Sequence, residues 1–92
     1  MSNATSRWKV KLGRKARKFI QRQSKDVQRR LERAISRLEE TPYPAGYKKL
    51  SGHPNLYRLR EGNWRIVYFV EGDQLVILIV KIASRGEVYR NL

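Results

Sequence analysis

The chain has 92 residues, enough for one compact domain and too few for a second core with a linker. Twenty-one Lys and Arg oppose eight Asp and Glu for a net charge of +13, while 40% hydrophobic residues and nine aromatics exclude a disordered basic tail. The lack of cysteine excludes disulfides and thiolate chemistry, one histidine excludes a multi-histidine metal centre, and the apolar run Leu75 to Val80 is far short of the roughly 20 residues that cross a bilayer.

These features describe a folded basic domain suited to a reducing cytoplasm, with no metal, no other cofactor and no membrane span. Residues 1–6 lack the apolar stretch of a signal peptide and are expected to be disordered or partly a cloning remnant, so the whole chain, 1–92, is read as one domain.

In Trp8-Lys9-Val10-Lys11-Leu12 apolar and basic residues alternate, which predicts a first strand with Trp8, Val10 and Leu12 on one face and the lysines on the other. After Gly13, Ala16, Phe19 and Ile20 recur at helical spacing. Ser24 and Asp26 then mark a second helix start before Val27, Leu31, Ala34, Ile35 and Leu38. That helix should stop at Thr41-Pro42, because a residue preceding proline is pushed out of helical geometry, and Pro42, Pro44 and Gly46 read as a turn. The helical half carries the field: residues 1–50 hold fifteen basic residues against four acids, and residues 51–92 hold six against four. Such a patch attracts polyanions with strong salt dependence; the alternative is a merely solvated helix face.

From Asn55 the period becomes that of strands, at Leu56–Leu59, Trp64–Val70 and Gln74–Ile82. Glu61-Gly62-Asn63 and Glu71-Gly72-Asp73 read as the two hairpin connections, with glycine supplying the positive φ. The unbroken apolar run Leu75–Val80 predicts a strand covered on both faces. The expected fold is α+β: an N-terminal strand, a two-helix hairpin and a three-stranded antiparallel meander completing one sheet.

Strand parity separates core positions from available ones. If Tyr57, Leu59, Trp64, Ile66 and Tyr68 face the helices, Arg58, Arg60 and Arg65 share the other face of one hairpin. Their mutual repulsion is a cost that a bound anion removes. The following Ser84-Arg85-Gly86-Glu87-Val88-Tyr89 brings a fourth arginine and a tyrosine beside them. Arginine and tyrosine without metal or cysteine suit RNA cleavage by the substrate's own 2′-hydroxyl. The enzyme then needs only to align the 2′-oxygen with phosphorus, balance charge on the phosphorane and assist proton transfer. The competing readings are structural: Arg65 paired with Glu61 or Glu71, Tyr89 as a core anchor, and His53, a tempting base, as a solvated loop residue.

The stretch Leu50-Ser51-Gly52-His53-Pro54-Asn55-Leu56-Tyr57-Arg58-Leu59-Arg60-Glu61-Gly62-Asn63-Trp64-Arg65-Ile66-Val67-Tyr68, with the terminal Ser84–Tyr89 segment, resembles the RelE/ParE superfamily of bacterial and archaeal toxins. The resemblance implies the toxin of a type II toxin–antitoxin pair. Its RelE branch cuts messenger RNA on the ribosome, leaving a 2′,3′-cyclic phosphate and a 5′-hydroxyl. It implies catalytic positions at Arg60, Arg65, Arg85 and Tyr89, with Arg65 stabilising the phosphate, Arg85 assisting the leaving oxygen and Tyr89 stacking on the substrate. Arg58 and Lys81 are read as contacts to RNA phosphate. Arg58 and Arg60 stand where the best-known member has lysines, and a guanidinium is a poor general base, so Tyr89, Lys81 and electrostatic activation of the 2′-hydroxyl all stay open as the means of proton removal. Docking to ribosomal RNA falls to Arg14, Lys15, Arg17, Lys18, Arg22, Arg29, Arg33 and Arg37, and an acidic antitoxin is the expected partner. The alternatives are a ParE-like inhibitor of DNA gyrase and a non-catalytic RNA-binding domain on the same scaffold.

Overall fold

Gly13 ends a short strand, β1 (Lys9–Leu12), by donating its N–H to Ile79 O at 2.8 Å, and the chain turns directly into helix α1 (Arg14–Gln21). Helix α2 (Lys25–Glu40) starts where Ser24 caps it, the hydroxyl accepting the Val27 N–H at 3.3 Å, and it ends before extended Thr41. Three further strands were expected and four are present: β2 (Tyr47–Lys49), β3 (Leu56–Glu61), β4 (Trp64–Glu71) and β5 (Val76–Ser84). This computed structural model describes residues 7–85, so Tyr89 and the start of the chain through Ser6 lie outside the described residues. Among the described residues no helix is long and apolar enough to cross a membrane.

The five strands form one sheet in the order β1-β5-β4-β3-β2, antiparallel except for the β1–β5 pair. The helices cover one face. Ala16, Leu31, Ala34 and Leu38 pack there on Leu59, Ile66, Tyr68, Val70, Ile77, Ile79 and Ile82, with Trp8, Val10 and Leu12 closing the side as the alternation in β1 predicts. Among the described residues the opposite face has a small apolar cluster, Leu56, Val67 and Ala83 with Leu50, Phe69 and Val80 against it.

The expectation of a β5 covered on both faces is therefore corrected. Ile77 and Ile79 are fully buried under the helices, whereas Val76, Leu78 and Val80 on the other face are half-buried. Two helices can roof only one side, and on the second face of β5 Val80 joins the cluster of Leu56, Val67 and Ala83.

Two local features depart from the sequence reading. At the first hairpin Glu61 closes against Trp64, and Gly62 has φ +57° as expected. At the second, the positive φ falls on Leu75 (+56°) and not on Gly72, because the loop is longer and reverses at its last residue. The register between β4 and β5 shifts at Val67/Tyr68, so that Val80 is an extra residue in β5. The bulge keeps Lys81 opposite Val67 on the open face and returns Ile82 to the helix face opposite Ile66.

The connection from α2 to β2 is held by tyrosines. Buried Tyr68 donates its hydroxyl to Pro42 O at 2.6 Å, and its ring stacks on Tyr57, which contacts Tyr43 and Tyr47 in turn. Arg37, near the end of α2, donates to Ala45 O at 2.6 Å and pairs with Glu61 at 3.5 Å. These contacts carry the chain round so that β2 can add to the β3 edge.

Candidate nucleic-acid interface

The register builds the open face in rows that run across the strands. One row is Lys48–Arg58–Val67–Lys81, read across β2, β3, β4 and β5. The next is Arg60–Arg65–Ala83. Residues directly opposite on neighbouring strands share a face, so Lys48, Arg58, Arg60, Arg65 and Lys81 all project from the side the helices leave uncovered. Arg60 and Arg65 are direct cross-strand partners.

Each arginine is placed differently. Arg65 is half-buried, and one terminal nitrogen donates to both Gly62 O and Trp64 O, each at 3.0 Å, which draws the guanidinium to the hairpin tip. Arg58 donates to Gly46 O at 2.9 Å, while its Nε is buried with no hydrogen-bond partner among the described residues. Arg60 is exposed at the rim. Arg85, also exposed, donates its backbone N–H to Asn63 O at 2.8 Å, which places this residue just past β5 at the same hairpin tip. Glu61 lies on the helix side and pairs with Arg37.

The arrangement suits an oxyanion-rich ligand. Guanidinium groups on adjacent strands present several donors in fixed directions and stay charged at any relevant pH. His53 sits apart, exposed in the loop before β3, and Arg60 is a further four residues beyond the start of that strand, about 13 Å along it. Its loop is therefore at the far end from the Arg60–Arg65 pair.

The helical cations divide. Arg29 and Arg33 lie on the solvent side of α2, with Arg29 held by Asp26 at 2.7 Å, opposite the Leu31–Leu38 stripe that enters the core. Arg14 and Arg17 are exposed on α1, where Arg17 reaches Leu12 O at 3.5 Å. Lys15, Lys18 and Arg22 fall on another flank of α1, beside β5. Arg37 is half-buried, engaged by Ala45 and Glu61, so of the eight helical cations it is the one built into the scaffold. Sequence reasoning missed Lys48, because a three-residue edge strand has no period to read; only its pairing with Arg58 brings it into the row.

Known proteins share this architecture over most of the chain. The family model described as "ParE toxin of type II toxin-antitoxin system, parDE" matches residues 10–89. A curated protein of Methanocaldococcus jannaschii, "Putative toxin RelE1", is 33% identical over 66 residues, which is 68% of this chain and 73% of that protein. The toxin fold in an archaeal RelE–RelB complex from Pyrococcus horikoshii superposes with a TM-score of 0.78 at 32% identity, covering 89% of this chain and 99% of that one. The intact Escherichia coli RelBE complex matches in fold, with a TM-score of 0.71 at 23% identity over 86% of this chain and 98% of that one. The chain belongs to the RelE/ParE superfamily of type II toxin–antitoxin toxins and is RelE-like.

Proposed function

We propose that this toxin is a metal-independent endoribonuclease that cuts messenger RNA on the ribosome and so stops translation in the cytoplasm. The 2′-oxygen attacks the adjacent phosphorus, the bond from phosphorus to the 5′-oxygen breaks, and the products are a 2′,3′-cyclic phosphate and a 5′-hydroxyl. The proton lost from the 2′-hydroxyl must be accepted and one must reach the departing 5′-oxygen. The observation that carries the reading is the Arg60–Arg65 cross-strand pair on an open face, with Arg58 and Lys81 in the adjoining row.

In this reading Arg65 offsets charge on the phosphorane and Arg60 adds to that field. Arg85 assists the leaving oxygen, Tyr89 stacks on the substrate, and Arg58 and Lys81 hold flanking phosphate. Arg14, Lys15, Arg17, Lys18, Arg22, Arg29 and Arg33 dock to ribosomal RNA through phosphate contacts. Arg37 would join them only by releasing Ala45 and Glu61. An acidic antitoxin covering the basic face would silence both functions, in keeping with the solved relatives named as RelE–RelB complexes.

A second reading, inhibition of DNA gyrase, is favoured by the ParE description of the matching family model. Translation of a defined message by purified ribosomes, with 5′ ends mapped by primer extension, separates the two. Ribosome-dependent cuts within codons support the nuclease, and Arg65→Ala and Tyr89→Ala should each slow single-turnover cleavage at least tenfold, about 1.4 kcal/mol of barrier per factor of ten. Both variants cutting at the parent rate would refute the site. Intact message with gyrase-dependent loss of supercoiling would establish the second reading, and salt-sensitive RNA binding with neither effect would leave a binding domain.

A further inference from the structure

β1 pairs with β5 only over Val76–Ile79, yet β5 runs on to Ser84. Among the described residues no strand pairs with β5 on that side beyond Ile79, and α1 flanks it. Between them lies an open cleft of about 260 Å³, lined by Lys15, Lys18 and Phe19 of α1, by Arg22 at its C-terminal cap and by Lys81 and Ile82 of β5. Among the described residues its walls carry four cations.

The spacing i, i+3, i+7 puts Lys15, Lys18 and Arg22 on one flank of the helix, with Phe19 beside them. Like charges at such spacings weaken a helix by a few tenths of a kcal/mol per pair, and α1 has no acid in its first turn to offset them. Lys81 belongs both to this cleft and to the Lys48–Arg58–Val67–Lys81 row. The cleft is thus the continuation of the open face past its β5 edge. From Lys48 to Lys81 the row spans three strand spacings, about 14 Å, and α1 extends it further.

We propose that the cleft between α1 and β5 is a second phosphodiester station, through which a single-stranded RNA crossing the open face continues beyond the arginine pair. The strand runs across the β-strands along the Arg58–Lys81 row, and phosphates past Lys81 seat against Lys15, Lys18 and Arg22. Phe19, half-buried in the cleft wall, offers an aromatic surface for a base. This moves Lys15, Lys18 and Arg22 from ribosomal RNA, where the proposed function puts them, to the substrate strand, and leaves Arg14, Arg17, Arg29 and Arg33 for docking. The inference rests on the open face being an RNA-binding surface.

The test uses the full chain and a 2′-O-methyl single-stranded oligonucleotide, which cannot be cut, with affinity followed by fluorescence anisotropy over a salt series. Each phosphate contact to a single strand contributes about 0.7 to the log–log salt slope, so Lys15→Ala/Lys18→Ala/Arg22→Ala should lower the slope by about 2. Lys18→Ala alone, at an exposed position, should lower it by about 0.7. Arg7→Ala/Lys25→Ala/Arg30→Ala removes equal charge outside the cleft and should leave the slope unchanged. Shortening the oligonucleotide until it spans the open face alone should abolish the difference between parent and cleft variant. No binding by the parent chain, an unchanged slope in the cleft variants, or equal losses in both triple variants would overturn the proposal. Ribosomal cleavage of message by the same variants is scored separately, so a nuclease with an ordinary slope refutes the cleft and leaves the proposed function standing.

Discussion

Arg60 faces Arg65 directly across the β3–β4 ladder, so altering Arg60 should raise stability while weakening anion binding. Two like charges about 6 Å apart in a water-like dielectric repel by about 0.7 kcal/mol, within the range of about 0.2–1 kcal/mol for cross-strand pairs. Arg60→Gln removes that repulsion, and Arg60→Glu turns it into an attraction of similar size. The Glu variant should therefore exceed the parent by about 1.4 kcal/mol at low salt, with Gln midway at about 0.7 kcal/mol, or roughly 6–11 °C in melting temperature for Glu in a domain of this size. Comparing Glu with Gln largely cancels strand propensity. At 1 M salt the Debye length shrinks to about 3 Å and the three proteins should converge. An oligonucleotide at a hundredfold excess over its Kd adds about 2.7 kcal/mol to whichever chain binds it, so the order should invert in favour of the parent. Urea denaturation at low and high salt, with and without oligonucleotide, reads all of this. A Glu variant less stable than Gln at low salt, or a ranking indifferent to salt, would show that the pair does not repel and would remove the physical basis of the site.

Tyr68→Phe should cost about 1–3 kcal/mol at neutral pH, because Pro42 O is left buried without the donor it holds at 2.6 Å. The same variant tests a pH effect. Burial first, then Tyr43, Tyr57 and Tyr47, raise the Tyr68 phenol above its ordinary value, with Arg58 pulling the other way. Below pH 10 the folded and unfolded phenol are both protonated; above it the unfolded chain releases the proton first, so stability falls by up to about 1.4 kcal/mol per pH unit. The Phe variant should lose that component of the alkaline slope, measured by urea denaturation between pH 9 and 11. Leu75→Asn should stabilise by about 0.5–1 kcal/mol, since φ +56° suits Asn better than Leu, whereas Gly62→Ala at φ +57° should destabilise by a similar amount or more. Thermal melts with those two shifts of the same sign would contradict the backbone assignment. Ser24→Ala should cost about 1 kcal/mol by freeing the Val27 N–H at the start of α2.

Much of the molecule was legible in one dimension because its signals are local. The alternation in β1 and along Tyr57–Tyr68, the Ser24 cap and the Thr41-Pro42 stop each act within a few residues, and each appears where the pattern puts it. Parity alone sent Arg58, Arg60 and Arg65 to a common face, since side chains of a strand alternate without exception until a bulge intervenes. Tyr89 could be named from the sequence but lies outside the described residues. What needed three dimensions was pairing between distant segments. Tyr47–Lys49 has no strand signature of its own and becomes a strand only because β3 offers an open edge, which is how Lys48 joins the basic row. The extra residue at Val80 decides which face Lys81 takes, and the mismatch between a four-residue β1 and a nine-residue β5 opens the space beside α1. Local chemistry in the chain set its charge, its elements and its alternating faces; which cations meet across the sheet was settled by register, because register depends on what the rest of the chain brings alongside.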